Sequence, residues 1–139
     1  MLASRIFPAE IQSLTDLADF LEETLEKAGA EPKEIFDIQL AADEIFTNIS
    51  SYAYGEEQGV VEVMVKCSEE EISIALIDSG KPFNPLCLPP PDITLGIDER
   101  KIGGLGIYLV REMMDGVSYL RENGKNILAI EKRRVKKRE

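Results

Sequence analysis

Glu44 and Asn48 stand four residues apart in the segment Ala42-Asp43-Glu44-Ile45-Phe46-Thr47-Asn48. On a helix that spacing projects both side chains from one face, about one turn apart. They border the apolar positions Ile45 and Ile49 rather than opposing them, so the pair lies at a boundary with other structure. A carboxylate there can act as a general base, and a carboxamide oxygen is a hard ligand suited to Mg²⁺. Taken alone, Glu-x-x-x-Asn is also the pattern of an ordinary solvated helix pair.

A second segment is Ile77-Asp78-Ser79-Gly80-Lys81-Pro82-Phe83. Counting by two from Ile72, Ile74 and Leu76 puts Asp78 on the inner face of a strand, just where the strand ends. An inward carboxylate needs partners, because burying it alone is costly. The exocyclic amine of a purine is one candidate, with Gly80 leaving space for a flat ring; the other reading is a turn in which Asp78 caps and Gly80 supplies positive φ. A third segment clusters Gly103, Gly104 and Gly106 at a helix start, where exposed amides and the helix dipole form a natural phosphate site. A merely flexible junction would have the same composition. Neither the P-loop nor the Rossmann glycine spacing is present.

These residues must be positioned by a recognisable series of elements. Ser4 to Phe7 reads as a short strand, and Pro8 suits the first turn of a helix whose stripe is Ile11, Leu14, Leu17, Leu21 and Leu25, ending near Gly29. A second helix is expected from Pro32 to about Tyr52, with Ile38, Ala42, Ile45 and Ile49 buried. Val60 to Cys67 alternates as a strand with Val61, Val63 and Val65 inward, and a partner strand follows Glu70. Pro82 to Lys101 is irregular and rich in proline. A third helix opens at Gly103 to Gly106, with Leu105, Leu109 and Met113 on one side. Val117 to Arg121 and Ile127 to Ile130 read as a hairpin joined through Asn123-Gly124. The order implies an α+β fold, a two-layer sandwich in which three helices cover one face of a largely antiparallel, mixed sheet.

The 139 residues are of single-domain size, and their net charge of −10 repels phosphodiester backbones and anionic membrane surfaces. Six basic residues lie between Lys132 and Arg138, which leaves the preceding residues more acidic still and reads as a basic, solvated tail over 132–139. There is no apolar run of membrane-spanning length and no secretory h-region. With only Cys67 and Cys87 present, a reducing cytoplasm fits and a disulfide is not expected. The chain has no histidine, which removes Ser-His and Cys-His nucleophilic systems and most zinc sites. Proton transfer therefore falls to a carboxylate, lysine, tyrosine or water.

In this order, the three segments resemble the asparagine box and two glycine boxes of the GHKL ATPases, the Bergerat or histidine-kinase-like ATPase fold. Ala41 to Tyr54, Ile77 to Phe83 and Gly103 to Val110 look especially like the anti-sigma-factor serine kinases, and the resemblance runs from Pro8 to Lys132. It implies Glu44 as general base, Asn48 as Mg²⁺ ligand, Asp78 on the adenine amino group with Gly80 beside the ring, and Gly103, Gly104 and Gly106 at the phosphates of ATP. It further implies an ATP lid over residues 86–102. The implied function is an ATP-dependent serine-protein kinase that binds a sigma factor and phosphorylates a small antagonist protein, with a homodimer as the family's usual state. A regulator that holds ATP without turnover, or acts only by docking, is the alternative. Two positions depart from the family pattern. Tyr52 stands where a histidine is frequent, and Gly124-Lys125-Asn126 replaces the usual Gly-Thr opening of the last strand.

Overall fold

The computed structural model of the protein describes residues 1–54, 57–87 and 104–135. The alternation in Val60–Cys67 (β2) and Glu71–Asp78 (β3) produces two antiparallel strands in which Val61, Val63, Val65, Ile72, Ile74 and Leu76 are fully buried and the intervening residues face outward. Leu2–Pro8 (β1) adds to the free side of β2, with Leu2 opposite Lys66 and Pro8 opposite Val60. This strand is longer than the expected Ser4 to Phe7, and Pro8 closes it instead of opening a helix. A residue without an N–H is tolerated at the end of an edge strand, where no ladder bond is lost.

Gly116–Glu122 (β4) and Lys125–Arg133 (β5) form the closing hairpin. Its turn places Asn123 at φ 51° and Gly124 at φ 76°, the double left-handed geometry for which Asn-Gly is suited. Strand order across the sheet is β1-β2-β3-β5-β4, and every pairing among the described residues is antiparallel.

Leu14–Lys27 (α1) follows a single 3₁₀ turn at Ile11–Ser13, so Ile11 is exposed rather than part of the buried stripe. Leu17, Leu21 and Leu25 are fully buried, each such side chain contributing roughly 1.5–3 kcal/mol. The helix ends where Gly29 adopts φ 78° and donates to the Glu26 carbonyl, while the Ala30 amide reaches the Leu25 carbonyl. These two bonds satisfy carbonyls that the helix leaves open.

Pro32–Tyr52 (α2) begins with a reciprocal cap in which the Glu31 amide donates to Glu34 Oε1 at 2.8 Å. Its buried positions include Ile38, Ala42, Ile45 and Ile49, as the spacing requires. Gly104–Met113 (α3) buries Ile107 and Val110, followed by Met114 just beyond its end, while Leu109 is exposed; the inward stripe is therefore rotated from the one expected through Leu109. A single cluster of buried apolar residues takes members from all three helices and from β1, β2, β3 and β5.

Part of the basic segment is not solvated tail. Lys132 and Arg133 belong to β5, Lys132 Nζ lies 3.1 Å from Asp37 Oδ2, and the Val135 amide donates to the buried Glu34 Oε2 at 3.0 Å. Arg134 donates to the carbonyl of Ala28 at the end of α1. Residues 136–139 lie outside the described residues. Cys67 is a buried free thiol whose pKa is pushed up by that burial.

Candidate functional site

Strand parity delivers Asp78 to the inner face at the end of β3, where it is almost completely buried. Its Oδ1 accepts from the Gly80 amide at 2.9 Å and from Asn126 Nδ2 at 2.9 Å. Oδ2 accepts no hydrogen bond among the described residues. Asn126 stands directly opposite Asp78 in the β3–β5 register and is also buried. Its second amide hydrogen goes to the Lys81 carbonyl at 2.8 Å, and its Oδ1 accepts from the Tyr119 hydroxyl and the Phe83 amide. Every hydrogen-bonding position of that carboxamide is therefore used.

Asn48, Asp78 and Asn126 line one small cavity whose walls are apolar residues of α2 and the rings of Phe83, Pro85 and Tyr119. The cavity measures about 20 Å³, room for one water molecule. Gly80 sits beside it for a reason the sequence did not reveal. A Cβ on Gly80 would fall 2.2 Å from the Ala53 carbonyl oxygen, which itself accepts the Lys81 amide at 2.9 Å. The glycine thus permits the loop after β3 to press against the end of α2, and it does so without positive φ.

The other end of the candidate site lies between α2 and α3. Asn48 is buried, and among the described residues its Nδ2 has no hydrogen-bond partner; Asp43 Oδ1 is in the same condition. Burial pushes the Asp43 pKa up, and the neighbouring Glu44 charge adds to the shift. Glu44 is half-buried and stands outside the cavity lining. A Cβ on Gly106 would fall 2.0 Å from Glu44 Oε2, so any side chain there would displace the carboxylate from its present position beside α3. Gly104 begins α3, whereas Gly103 lies outside the described residues. Of the expected lid, only Leu86 and Cys87 are described; they belong to a 3₁₀ turn, and Arg111 Nη2 donates to the Leu86 carbonyl at 2.8 Å.

The two departures from the family pattern both have structural partners. Tyr52 packs its ring on Phe83 with centroids 5.6 Å apart, joining the end of α2 to the loop after β3. Asn126 occupies the interior beside Asp78, while Lys125 is exposed. Tyr54, which carried no expectation, donates to the Val60 carbonyl at 2.6 Å and accepts from the Ser79 amide at 2.8 Å. Tyr119 of β4 is another cavity residue that local periodicity does not single out. Counting back by two from Leu128 on β5 places Asn126 inward, so the signal for that residue was present in the alternation.

With this geometry in place, comparisons with known proteins give consistent results. The pattern of the histidine kinase-like ATPase domain matches residues 7–132. The chain is 29% identical over 126 residues to the serine-protein kinase RsbW of Staphylococcus aureus strain MSSA476 and to that of strain Newman, covering 86% of this chain and 79% of each relative. Among solved structures, the RsbU and RsbW domains of Rv1364c from Mycobacterium tuberculosis align with a TM-score of 0.70 at 16% identity, over 96% of this chain. The chain spans 32% of that longer protein, and the likeness concerns the fold.

Proposed function

The chain belongs to the histidine kinase-like ATPase domain family, and from that premise we propose that it is an ATP-dependent serine-protein kinase that binds a sigma factor and phosphorylates a serine of a small antagonist protein. The observation that carries the reading is the meeting of Asn48 and Asp78 in one cavity, with a buried Asn48 nitrogen that has no partner among the described residues. An unsatisfied buried polar atom costs about 1–3 kcal/mol, and native proteins keep few of them. An unpaired amide donor calls for an acceptor, so the Asn48 nitrogen suits a phosphate oxygen of a nucleotide, which leaves its carboxamide oxygen for the metal.

The residues fit a magnesium nucleotide in chemical type. The described ones offer carboxamide and carboxylate oxygens, which suit a hard cation, and the chain has no histidine to favour a softer one. When bound, ATP supplies the phosphoryl group and Mg²⁺ the positive charge that offsets it. Asn48 would hold the metal through its carboxamide oxygen. Asp78 Oδ2, an acceptor only, would take a hydrogen bond from the exocyclic amine of adenine. Glu44 would accept the proton of the substrate hydroxyl, and the first amides of α3, which have no intrahelical acceptors, would stabilise developing negative charge. The present cavity is smaller than a purine, so a base enters it only if its walls move apart.

The proposed setting is the cytoplasm, with the chain acting as a homodimer. Among the described residues no helix is long and apolar enough to cross a membrane. Incubation with γ-labelled ATP, Mg²⁺ and candidate antagonist proteins tests the proposal. Label on an antagonist serine is expected. Nucleotide binding without transfer to any antagonist that binds the chain would favour a regulator acting by docking.

A further inference from the structure

The reading above assigns the base to Asp78 alone. We propose that Asn126 is a positioning residue for base specificity, holding one oxygen of Asp78 so that the other is the sole acceptor offered to a purine's exocyclic amine. The inference rests on the nucleotide reading and deepens it.

Asp78 follows the last inward apolar position of β3, and its carboxylate is free to rotate about χ2 unless something fixes it. Two donors converge on Oδ1, the Gly80 amide and Asn126 Nδ2, both at 2.9 Å. Oδ2 is left without a partner among the described residues while Asp78 lines the cavity. Asn126 is held in turn. Its remaining hydrogen goes to Lys81 O at 2.8 Å, and its Oδ1 receives Tyr119 Oη and the Phe83 amide at 3.4 Å. Because all of its donors and acceptors are engaged, Asn126 has nothing left to offer a nucleotide directly and acts through Asp78.

The arrangement also fixes which way the Asn126 amide points. A flipped carboxamide would set its oxygen against Asp78 Oδ1 and the Lys81 carbonyl, and its NH₂ group against the Phe83 amide hydrogen. The network permits one orientation. A carboxylate held this way accepts from the 6-amino group of adenine and opposes the 6-oxo group of guanine or hypoxanthine. Lost orientation would relax that discrimination before it abolished binding.

The test is equilibrium competition of ATP, GTP and ITP against a fluorescent ATP analogue, in Mg²⁺, for wild type, N126A, N126T, D78N and the two double variants with D78N. Wild type is expected to prefer ATP, and N126A to lose about tenfold of that preference. N126T keeps one hydroxyl donor for Asp78 and is expected to lose about threefold. In the D78N background neither Asn126 change should alter the preference further, since the residue it orients has already been altered. Hydrogen exchange without nucleotide gives a separate reading: the Gly80 amide should exchange faster in N126A, with partial recovery in N126T. An unchanged ATP preference in N126A, or Asn126 effects that persist undiminished on top of D78N, would overturn the inference while leaving the nucleotide site standing. If N126A fails to fold, N126T with and without D78N decides by the same criterion. A wild type that binds none of the nucleotides would remove both the inference and the reading beneath it.

Discussion

The two halves of α2 hold buried polar residues of the same kinds under opposite conditions. Near its start, Glu34 accepts from the Glu31 amide with one oxygen and from the Val135 amide with the other, and Asp37 lies within 2.9 Å of Lys33 Nζ and 3.1 Å of Lys132 Nζ. Two turns later, Asp43 Oδ1 and Asn48 Nδ2 are buried with no partner among the described residues, and Glu44 Oε2 occupies the space a side chain on Gly106 would take. The first set ties the chain's C-terminal strand to the helix and is complete without any ligand. The second set is left incomplete by a fold that satisfies such groups nearby. That difference in hydrogen-bond satisfaction sets the half of α2 that carries the proposed site apart from the half that holds the C-terminal strand.

The contrast can be broken most decisively at Glu44. If the carboxylate is the general base, Glu44→Gln should reduce phosphotransfer to the antagonist by about 10²- to 10⁴-fold while leaving nucleotide affinity intact. Single-turnover transfer measured beside equilibrium binding separates the two effects. A substitution that weakens binding and transfer equally would place Glu44 in the scaffold with Glu34.

Asn48→Ala is the next largest expected effect. Removing the proposed metal ligand should weaken nucleotide binding in Mg²⁺ by about tenfold or more, with little change when the metal is chelated. Thermal unfolding of the same variant should show no large loss of stability, because Asn48 Nδ2 makes no hydrogen bond among the described residues. A strong destabilisation would assign Asn48 to the structural set.

Asp37→Ala should do the reverse, lowering stability by about 1–3 kcal/mol through loss of a largely buried pair while leaving a folded variant's nucleotide affinity unchanged. Burial pushes the Asp37 pKa up, but Lys33 and Lys132 outweigh it and hold the carboxyl below the usual range. Its stabilising contribution is therefore complete above the ordinary aspartate value of about 3.9 and is lost as pH falls through the lower folded value. Denaturant melts of wild type and Asp37→Asn should converge in that acid range. A difference between them that did not shrink on acidification would contradict the ion-pair account.

Asp43 supplies the smallest effect, with the opposite sign. Its folded pKa is raised, so its ionised form costs stability once pH climbs past the window between the ordinary and the raised value. Asp43→Asn should stabilise the fold near neutral pH by less than about 1 kcal/mol, a gain that disappears below the ordinary aspartate pKa. Loss of stability at neutral pH would mean that Asp43 has a structural partner after all.

Much of this was legible in the sequence because it depends on local periodicity. Helix α2 begins at Pro32 and ends at Tyr52 as its stripe and its first-turn proline require, β2 spans Val60–Cys67, and Asn123-Gly124 makes the closing turn. The misreadings have physical causes. Pro8 fits an edge-strand end as well as a first helical turn, and Leu109 is apolar yet lies on the exposed side of α3. The candidate site was legible as residue types, whereas its connections were not. Glu34 and Val135 are 101 residues apart, and Asp78 and Asn126 are 48 apart, so only the register of the sheet and the packing of α2 bring them together. The role of Gly80 against Ala53 likewise depends on a backbone approach that no local pattern encodes.

The central claim, that the incomplete half of α2 and the Asp78 cavity form one magnesium-nucleotide site, is tested most directly by calorimetric titration of ATP into the protein with and without Mg²⁺. Wild type and Glu44→Gln should bind alike when the metal is present, and Asn48→Ala should lose the metal-dependent part of the affinity. Absence of binding to wild type at millimolar ATP with Mg²⁺, or an Asn48→Ala isotherm indistinguishable from wild type, would contradict the account.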